Sequence, residues 1–475
     1  MNIFRFKALL MFLVALPAWA DTPLPDFGSP ADSVLSRTQE ARLGRQVMRQ
    51  LRDAGVIIED PQLHEYIQTL GATLAAHAHD GEYQFEFFVV NDEAINAFAL
   101  PGGHIGVNIG LIQTSETESE LAGVLAHEIA HVTQRHIARS VYDNQRSSIL
   151  STAAMLAAIL LGAATDAGSD AMQGIVTASQ AAAIQRQIDF TRSNELEADR
   201  IGMNTLYSAG FDPTGMASFF EKLARRYGLA RQQIPQFLQT HPVTSERIAG
   251  SRNRARQMSS VDTHNTVGYE LAKVRLMVLG APSADAAYAL FQLRLEDNSS
   301  SADRYGMALS LARWGRNDEA ERIFQALIEE EPGIIAYRIG LGEALMASGP
   351  VTAALNGYAS AVHLFPRNVP LTISYAKALI AAGDPSKAHE LLLDLLNNVP
   401  PTPEQIRLIA RAANAEGDIG NAQHYMSEYY IIIGNFPLAI NQLRMAIESP
   451  GVNTVDLARY QARLDQLTEA MSEEK

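Results

Sequence analysis

The sequence predicts an α+β protein: a mostly helical domain with a small sheet, followed by an all-α solenoid of helical hairpins. Three observations carry this. Glycine, alanine and proline recur every 34 residues between Ser299 and Pro400, two strand-like runs lie between helical segments upstream, and the polar stretch "MSSVDTHNT" separates the two patterns. At 475 residues the chain exceeds one ordinary core, so more than one domain is expected.

The chain opens with "MNIFRFKALLMFLVALPAWADT": Arg5 and Lys7, an apolar run from Ala8 to Leu16, then the small residues Ala18 and Ala20 before Asp21. This is the three-part design of a signal peptide over residues 1–20, and the apolar run falls short of the roughly 20 residues a bilayer span needs. Cleavage after Ala20 removes two positive charges and takes the formal charge from −15 to −17. So acidic a chain argues against nucleic acid as a partner. With no cysteine, a thiol nucleophile, a thiolate metal site and a lipoprotein anchor are excluded.

Upstream of the polar stretch, residues 27–255 read as one mixed domain. Helical periodicity covers Glu40 to Leu51 and Gln62 to His77. "FEFFVV" reads as a strand. "HIGVNIGLI" reads as another, with Ile105, Val107, Ile109 and Leu111 on one face and His104, Gly106, Asn108 and Gly110 on the other. The nearly bare face fits either an edge onto which an extended peptide adds or a tightly packed internal strand.

The chemistry begins in "LAGVLAHEIAHVTQRH", where polar groups stand inside an apolar run and their burial is costly. "SETE" at Ser115 to Glu118 has capping-box form, and the apolar residues from Leu121 to Val132 run all round, so a buried helix is expected. On it His127 and His131, four apart, face one way and can reach one Zn²⁺. Glu128 stands beside them and can take a proton from an attacking water. His136, five residues beyond His131, points about 140° away on a continuing helix. It is therefore expected as a capping or surface histidine.

A catalytic zinc site usually has three protein ligands and one open position. "SNELEADRIGMNTLYSAGFDP" supplies candidates on a helix ending near Gly210, with Pro213 beyond. Glu197, Arg200, Asn204 and Ser208 form a polar stripe, which puts Glu197 in solvent. Glu195, Ala198, Asp199, Gly202 and Leu206 form the opposite stripe. Glu195 is thus the better third ligand, and Asp199 can accept a hydrogen bond from a ligand histidine's other ring nitrogen.

Downstream, residues 266–470 carry the repeat. Gly315, Gly349, Gly383 and Gly417 share a register with Ala320, Ala354, Ala388 and Ala422, and Pro332, Pro366 and Pro400 with one another. Small residues recur at Ala308, Gly342, Ala376 and Ala410. The pattern resembles the tetratricopeptide repeat, which needs small residues where its helices touch, glycine at the turn and proline at the exit. Gly434 and Ala439 follow Gly417 and Ala422 by 17, so one helix ends one pair and begins the next. Before Ser299 the register fits loosely around Ala286.

"HEIAH" followed by "ELEAD", preceded by "INAFALPGG" and followed by "THPVTSERI", resembles the zinc metallopeptidase family that includes the CAAX prenyl proteases and bacterial membrane heat-shock proteases. The chain lacks their multiple membrane spans. The resemblance implies a zincin-like fold, one Zn²⁺ per chain held by His127, His131 and Glu195, Glu128 as catalytic residue and Asp199 as the acid behind a ligand. It further implies a periplasmic endopeptidase of a Gram-negative bacterium, whose partners are unfolded or stalled outer-membrane proteins and the β-barrel assembly machinery. A scaffold or chaperone working through its repeats, with a latent metal site, is the alternative.

Two features stay open at this level. His241, in the loop before Pro242, is a candidate catalytic donor to the oxyanion, a fourth zinc ligand that holds the enzyme latent, or a structural pin. "ILSTAAMLAAILLGAA", residues 149–164, either packs as a core hairpin or covers the site and touches membrane or partner.

Overall fold

The computed structural model describes residues 33–78, 83–144, 192–227, 235–259, 261, 263–297 and 300–473. Segment 1–20, expected to be a signal peptide, and the apolar segment 149–164 lie outside the described residues.

The first domain starts with α1 (Arg37–Asp53), opened by a capping box between Ser36 and Gln39, and α2 (Pro61–Ala75), opened by the Asp60 side chain with proline in its first turn. A three-stranded sheet follows: β1 (Glu86–Val90), β2 (Ala97–Leu100) and β3 (His104–Asn108), in the order β1-β3-β2, with β3 parallel to β1 and antiparallel to β2. The strand with the bare face is therefore central, not an edge. A Cβ on Gly106 would lie 2.4 Å from the Phe98 ring and 2.9 Å from the Phe88 ring, so the missing side chain is filled by aromatic rings of both neighbouring strands. The strand is also shorter than the alternation suggests. Gly110 passes against the backbone of Glu93, and Ile109 opens α3 (Ile109–Thr114) instead of extending β3. The two edges are β1, which takes an isolated antiparallel bridge from Ile57 to Val90, and β2.

Helix α4 (Glu118–Thr133) runs through the centre of this domain with every residue buried. Its cap is Thr117, which accepts from the Glu120 N–H, and not Ser115, whose hydroxyl donates to the Ile112 carbonyl inside the core. Glu118 accepts from the Tyr66 hydroxyl, the Thr266 N–H and the Thr266 hydroxyl, while its own N–H donates to Asn265. Asn265 and Thr266, at the end of the polar stretch, are thereby pinned to the first turn of α4. Beyond α5 (His136–Asn144), the chain continues through α6 (Arg192–Ser208), α7 (Thr214–Tyr227), α8 (Gln236–Thr240) and α9 (Ser245–Ala255). Gly210 follows α6 with φ +87°, the left-handed conformation that glycine adopts without strain. Leu121, Leu125, Met203, Leu206, Phe219, Phe220 and Phe237 fill the core around α4.

The second domain is a run of hairpins: α10 (Val267–Gly280) with α11 (Ala284–Asp297), α12 (Ser301–Arg313) with α13 (Asn317–Glu330), α14 (Ile335–Ser348) with α15 (Val351–Leu364), α16 (Val369–Ala381) with α17 (Pro385–Asn398), α18 (Pro403–Glu416) with α19 (Ile419–Ile432), and α20 (Phe436–Ile447) with α21 (Thr454–Glu473). Gly315, Gly349, Gly383, Gly417 and Gly434 all take positive φ at the turns, and Ala320, Ala354, Ala388 and Ala439 are fully buried. Helix α19 packs against both α18 and α20, as the halved spacing predicts. In the first hairpin the buried small residue is Ala287, one place after Ala286.

Helix α10 belongs to both cores: Tyr269, Ala272 and Leu276 face the first, Leu271, Val274 and Val278 the second. The first helices of successive hairpins face α2. Arg275 pairs with Asp60 at 2.7 Å, Tyr305 donates to Gln62 at 3.3 Å, and Asn368 donates to Glu65 at 2.7 Å. Part of the inner surface of the repeats is thus taken up by the protein's own α2.

Candidate active site

The crossing of α4 and α6 sets the site. At Gly202 a Cβ would meet the Ala126 carbonyl oxygen at 2.8 Å and the His127 nitrogen at 2.9 Å, so only glycine lets the two backbones approach this closely. The approach carries Glu195, at the start of α6, to the two histidines of α4. Glu195 Oε2 lies 3.5 Å from His127 Nε2 and Oε1 lies 3.4 Å from His131 Nε2. The two Nε2 atoms are 2.9 Å apart. His241, which caps the C-terminus of α8, enters from the other side: its Nδ1 lies 3.1 Å from Glu195 Oε1 and 3.4 Å from His127 Nε2. Each of His127, His131, Glu195 and His241 is buried, and one donor atom from each lies within 4.8 Å of the others. Four convergent and buried N and O donors fit a divalent cation.

Glu128 gives a second test of fit. It is fully buried, and neither carboxylate oxygen has a hydrogen-bond partner among the described residues. Burial pushes its carboxyl up, against weaker pulls from His241 and His127. An orphaned buried carboxylate is costly and suits a site completed by an ion and a water. His241 Nε2 stands 3.6 Å from Glu128 Oε1.

The remaining polarity follows from an ion network. Asp199 Oδ1 lies 3.0 Å from His127 Nδ1, on the side of the ring facing away from Glu195. Burial alone would lower the His127 pKa, but Asp199 and Glu195 raise it to about 9. Burial drives the His131 pKa well below its usual range, against the opposing pull of Glu195. Burial opposes charge on Glu195, but His241, His127 and His131 hold its carboxyl well below the usual range.

Arg247, on α9, holds the acids together. Its fork donates to both oxygens of Asp199 at 2.7 Å each, its Nη1 lies 2.7 Å from Glu195 Oε2, and the same Nη1 donates to the Pro242 carbonyl at 3.0 Å. Arg247 lies within "THPVTSERI" but is not among the residues expected from the sequence, since its acidic partners stand far away in the chain.

Two expectations need correcting. His136 is not at the surface: it is fully buried, with its Nδ1 2.8 Å from His131 Nδ1. The 140° argument assumes a continuing helix, but Arg135 takes φ +53° and breaks it, swinging His136 back behind His131. Burial lowers the His136 pKa to about 4, so its ring is neutral. Nor does Glu197 simply face solvent. It is about one-third exposed, and its Oε2 lies 3.2 Å from His136 Nε2 and 2.9 Å from Arg139 Nη1.

Comparison with known proteins agrees with this geometry. Residues 60–255 match the model of peptidase family M48, and residues 345–412 match that of a tetratricopeptide repeat. The chain is 36% identical over 459 residues to the beta-barrel assembly-enhancing protease of Escherichia coli strain K12, covering 95% of this chain and 93% of that protein. It is also 36% identical over 478 residues to a putative beta-barrel assembly-enhancing protease of Vibrio cholerae, covering 98% of each. A mitochondrial metalloendopeptidase of Arabidopsis thaliana, OMA1, is 28% identical over 222 residues, covering 46% of this chain and 42% of that protein. A peptidase match that spans every residue of the buried constellation, and relatives that extend through the repeats, place this metalloendopeptidase in peptidase family M48, among the beta-barrel assembly-enhancing proteases.

Proposed function

We propose that the chain is a zinc endopeptidase of the Gram-negative periplasm that cleaves stalled or unfolded outer-membrane β-barrel proteins. One observation carries the chemistry: His127, His131, Glu195 and His241 converge on one point with the fully buried carboxylate of Glu128 beside it. The name of the relatives and the signal-peptide pattern support the compartment and the client class. On this reading residues 27–255 are the peptidase domain and 266–470 the repeat domain.

His127, His131 and Glu195 would hold the ion, and Asp199, 3.0 Å from His127 Nδ1, is placed to set the tautomer of that ring. A bound Zn²⁺ supplies Lewis acidity and lowers the pKa of water. Glu128 takes the proton of the attacking water and returns it to the leaving amine, a role helped by its raised pKa. β2 is an edge of the sheet, and its Ala99 backbone lies beside Glu128, so an extended peptide that pairs with β2 would pass its carbonyls near the site. His241 occupies the fourth donor position, which supports a latch over an oxyanion donor. Repeat surfaces not taken up by α2 recruit clients or the assembly machinery.

The test is metal content together with cleavage of a stalled outer-membrane protein. Glu195→Gln should lose zinc, whereas Glu128→Gln should keep zinc and lose about 10²–10⁴ in rate. Undiminished cleavage by Glu128→Gln would sink the mechanism. His241→Ala should cleave faster if it is a latch. A scaffold role is the second reading, supported by Leu293, Trp314 and Leu364, which stand exposed on the repeats. Normal client assembly with Glu128→Gln would favour it.

A further inference from the structure

The two α4 imidazoles that face Glu195 are backed differently. His127 Nδ1 meets a carboxylate directly, the usual support for a metal-ligating histidine. His131 Nδ1 meets another imidazole nitrogen, His136 Nδ1, at 2.8 Å, and only then a carboxylate, at Glu197.

Two ring nitrogens at that distance bond only if one of them carries a proton. His131 turns its Nε2 toward Glu195 and His127, so as a neutral ligand it keeps its proton on Nδ1. His136 Nδ1 must then accept, which leaves the His136 proton on Nε2, facing Glu197 Oε2 at 3.2 Å. Both contacts thereby acquire one direction: His131 Nδ1–H donates to His136, and His136 Nε2–H donates to Glu197. Arg139, 2.9 Å from the same carboxylate oxygen, keeps the terminal acceptor charged and in place.

The backbone is shaped for this. Arg135 holds a left-handed conformation that an L-residue rarely takes. Its side chain is buried, donates to the Leu35 carbonyl at 2.6 Å and lies 3.5 Å from Glu40. Those contacts, far from the metal-facing atoms, hold the break that returns His136 to the site.

We propose that His136 and Glu197 are a positioning pair for His131: they fix its ring orientation and keep its proton on Nδ1, so that Nε2 is presented to the metal. This rests on the reading of His131 as a ligand, and the experiment separates the two. Zn²⁺ affinity is measured on the full chain by competition with a chromophoric chelator, with folding followed by circular dichroism. His131→Ala should abolish tight binding. His136→Phe, which fills the space without an acceptor, should weaken Zn²⁺ binding by about 10–100-fold, the usual effect of removing such a partner. His136→Asn, whose amide oxygen can accept from Nδ1–H, should restore affinity to within a few-fold of wild type, which a purely space-filling role would not produce. Glu197→Leu, at a partly exposed position, should weaken binding in the same direction and carries the test if His136→Phe does not fold. Unchanged affinity in the Phe and Leu variants, or an Asn variant as weak as Phe, overturns the positioning pair alone. A wild-type chain that binds no Zn²⁺, or a His131→Ala variant that binds as tightly, overturns the ligand reading and the pair with it.

Discussion

Where α4 crosses α6, Gly202 lets two backbones meet; where α13 faces α14, Gly340 receives the ring of Phe324. A Cβ at either glycine would lie 2.8 Å from the Ala126 carbonyl or 2.5 Å from the Phe324 ring. The device is the same, but its consequences differ. In the peptidase half the contact sets the distance between His127 and Glu195, and the groups brought together are charged and buried. In the repeat half it brings apolar groups together, and the preceding repeat does likewise, with Gly306 against Phe291. A repeat array spreads its stability over neighbouring interfaces, whereas the peptidase half concentrates it in one network whose members depend on each other.

The largest expected effect lies in that network. Arg247→Met leaves Glu195 and Asp199 as buried acids without their shared cation, and removing one partner of a buried ion pair costs roughly 3–5 kcal/mol. Hydrogen exchange should show protection falling across α4, α6 and α9 while α16 to α21 keep theirs. Equal loss in both halves would show that α10, shared between the two cores, joins them into one cooperative unit and would break the contrast drawn here.

The paired glycines come next. Gly202→Ala and Gly340→Ala should each cost about 1–3 kcal/mol by overpacking, read from thermal melts. Only Gly202→Ala should also reduce metal content and cleavage, because it pushes α6 away from the histidines. A Gly340→Ala chain that loses metal would mean that the repeats tune the site through α2.

What the sequence made legible follows the same division. The repeat register could be read because a helix, a turn and a returning helix are close in the chain, and each glycine turn needs only its own φ. The pairing of His127 with Glu195 was legible as stripes on two helices. What escaped was set by remote contacts. The order β1-β3-β2 put the Gly106 strand in the middle of the sheet, and a backbone break at Arg135, held by Leu35 and Glu40, turned His136 inward. Arg247 escaped because its partners stand 48 residues or more away, on α6.

The smallest effect expected is in the repeats, at the half-buried His424. Burial, and then the nearby Arg459, lower the His424 pKa to about 4, against about 6.5 in an unfolded chain. As pH falls through that window the unfolded chain takes up a proton that the folded chain does not, so stability is lost with acidification. From pH 7 to 5.5 the loss should be ~1 kcal/mol, since most of the unfolded chains but few of the folded ones are then protonated at this residue. His424→Phe should flatten that part of the stability profile and leave metal content at pH 7 unchanged. A slope that survives the substitution would move the titration to the peptidase half, where burial also lowers His64, His131 and His136.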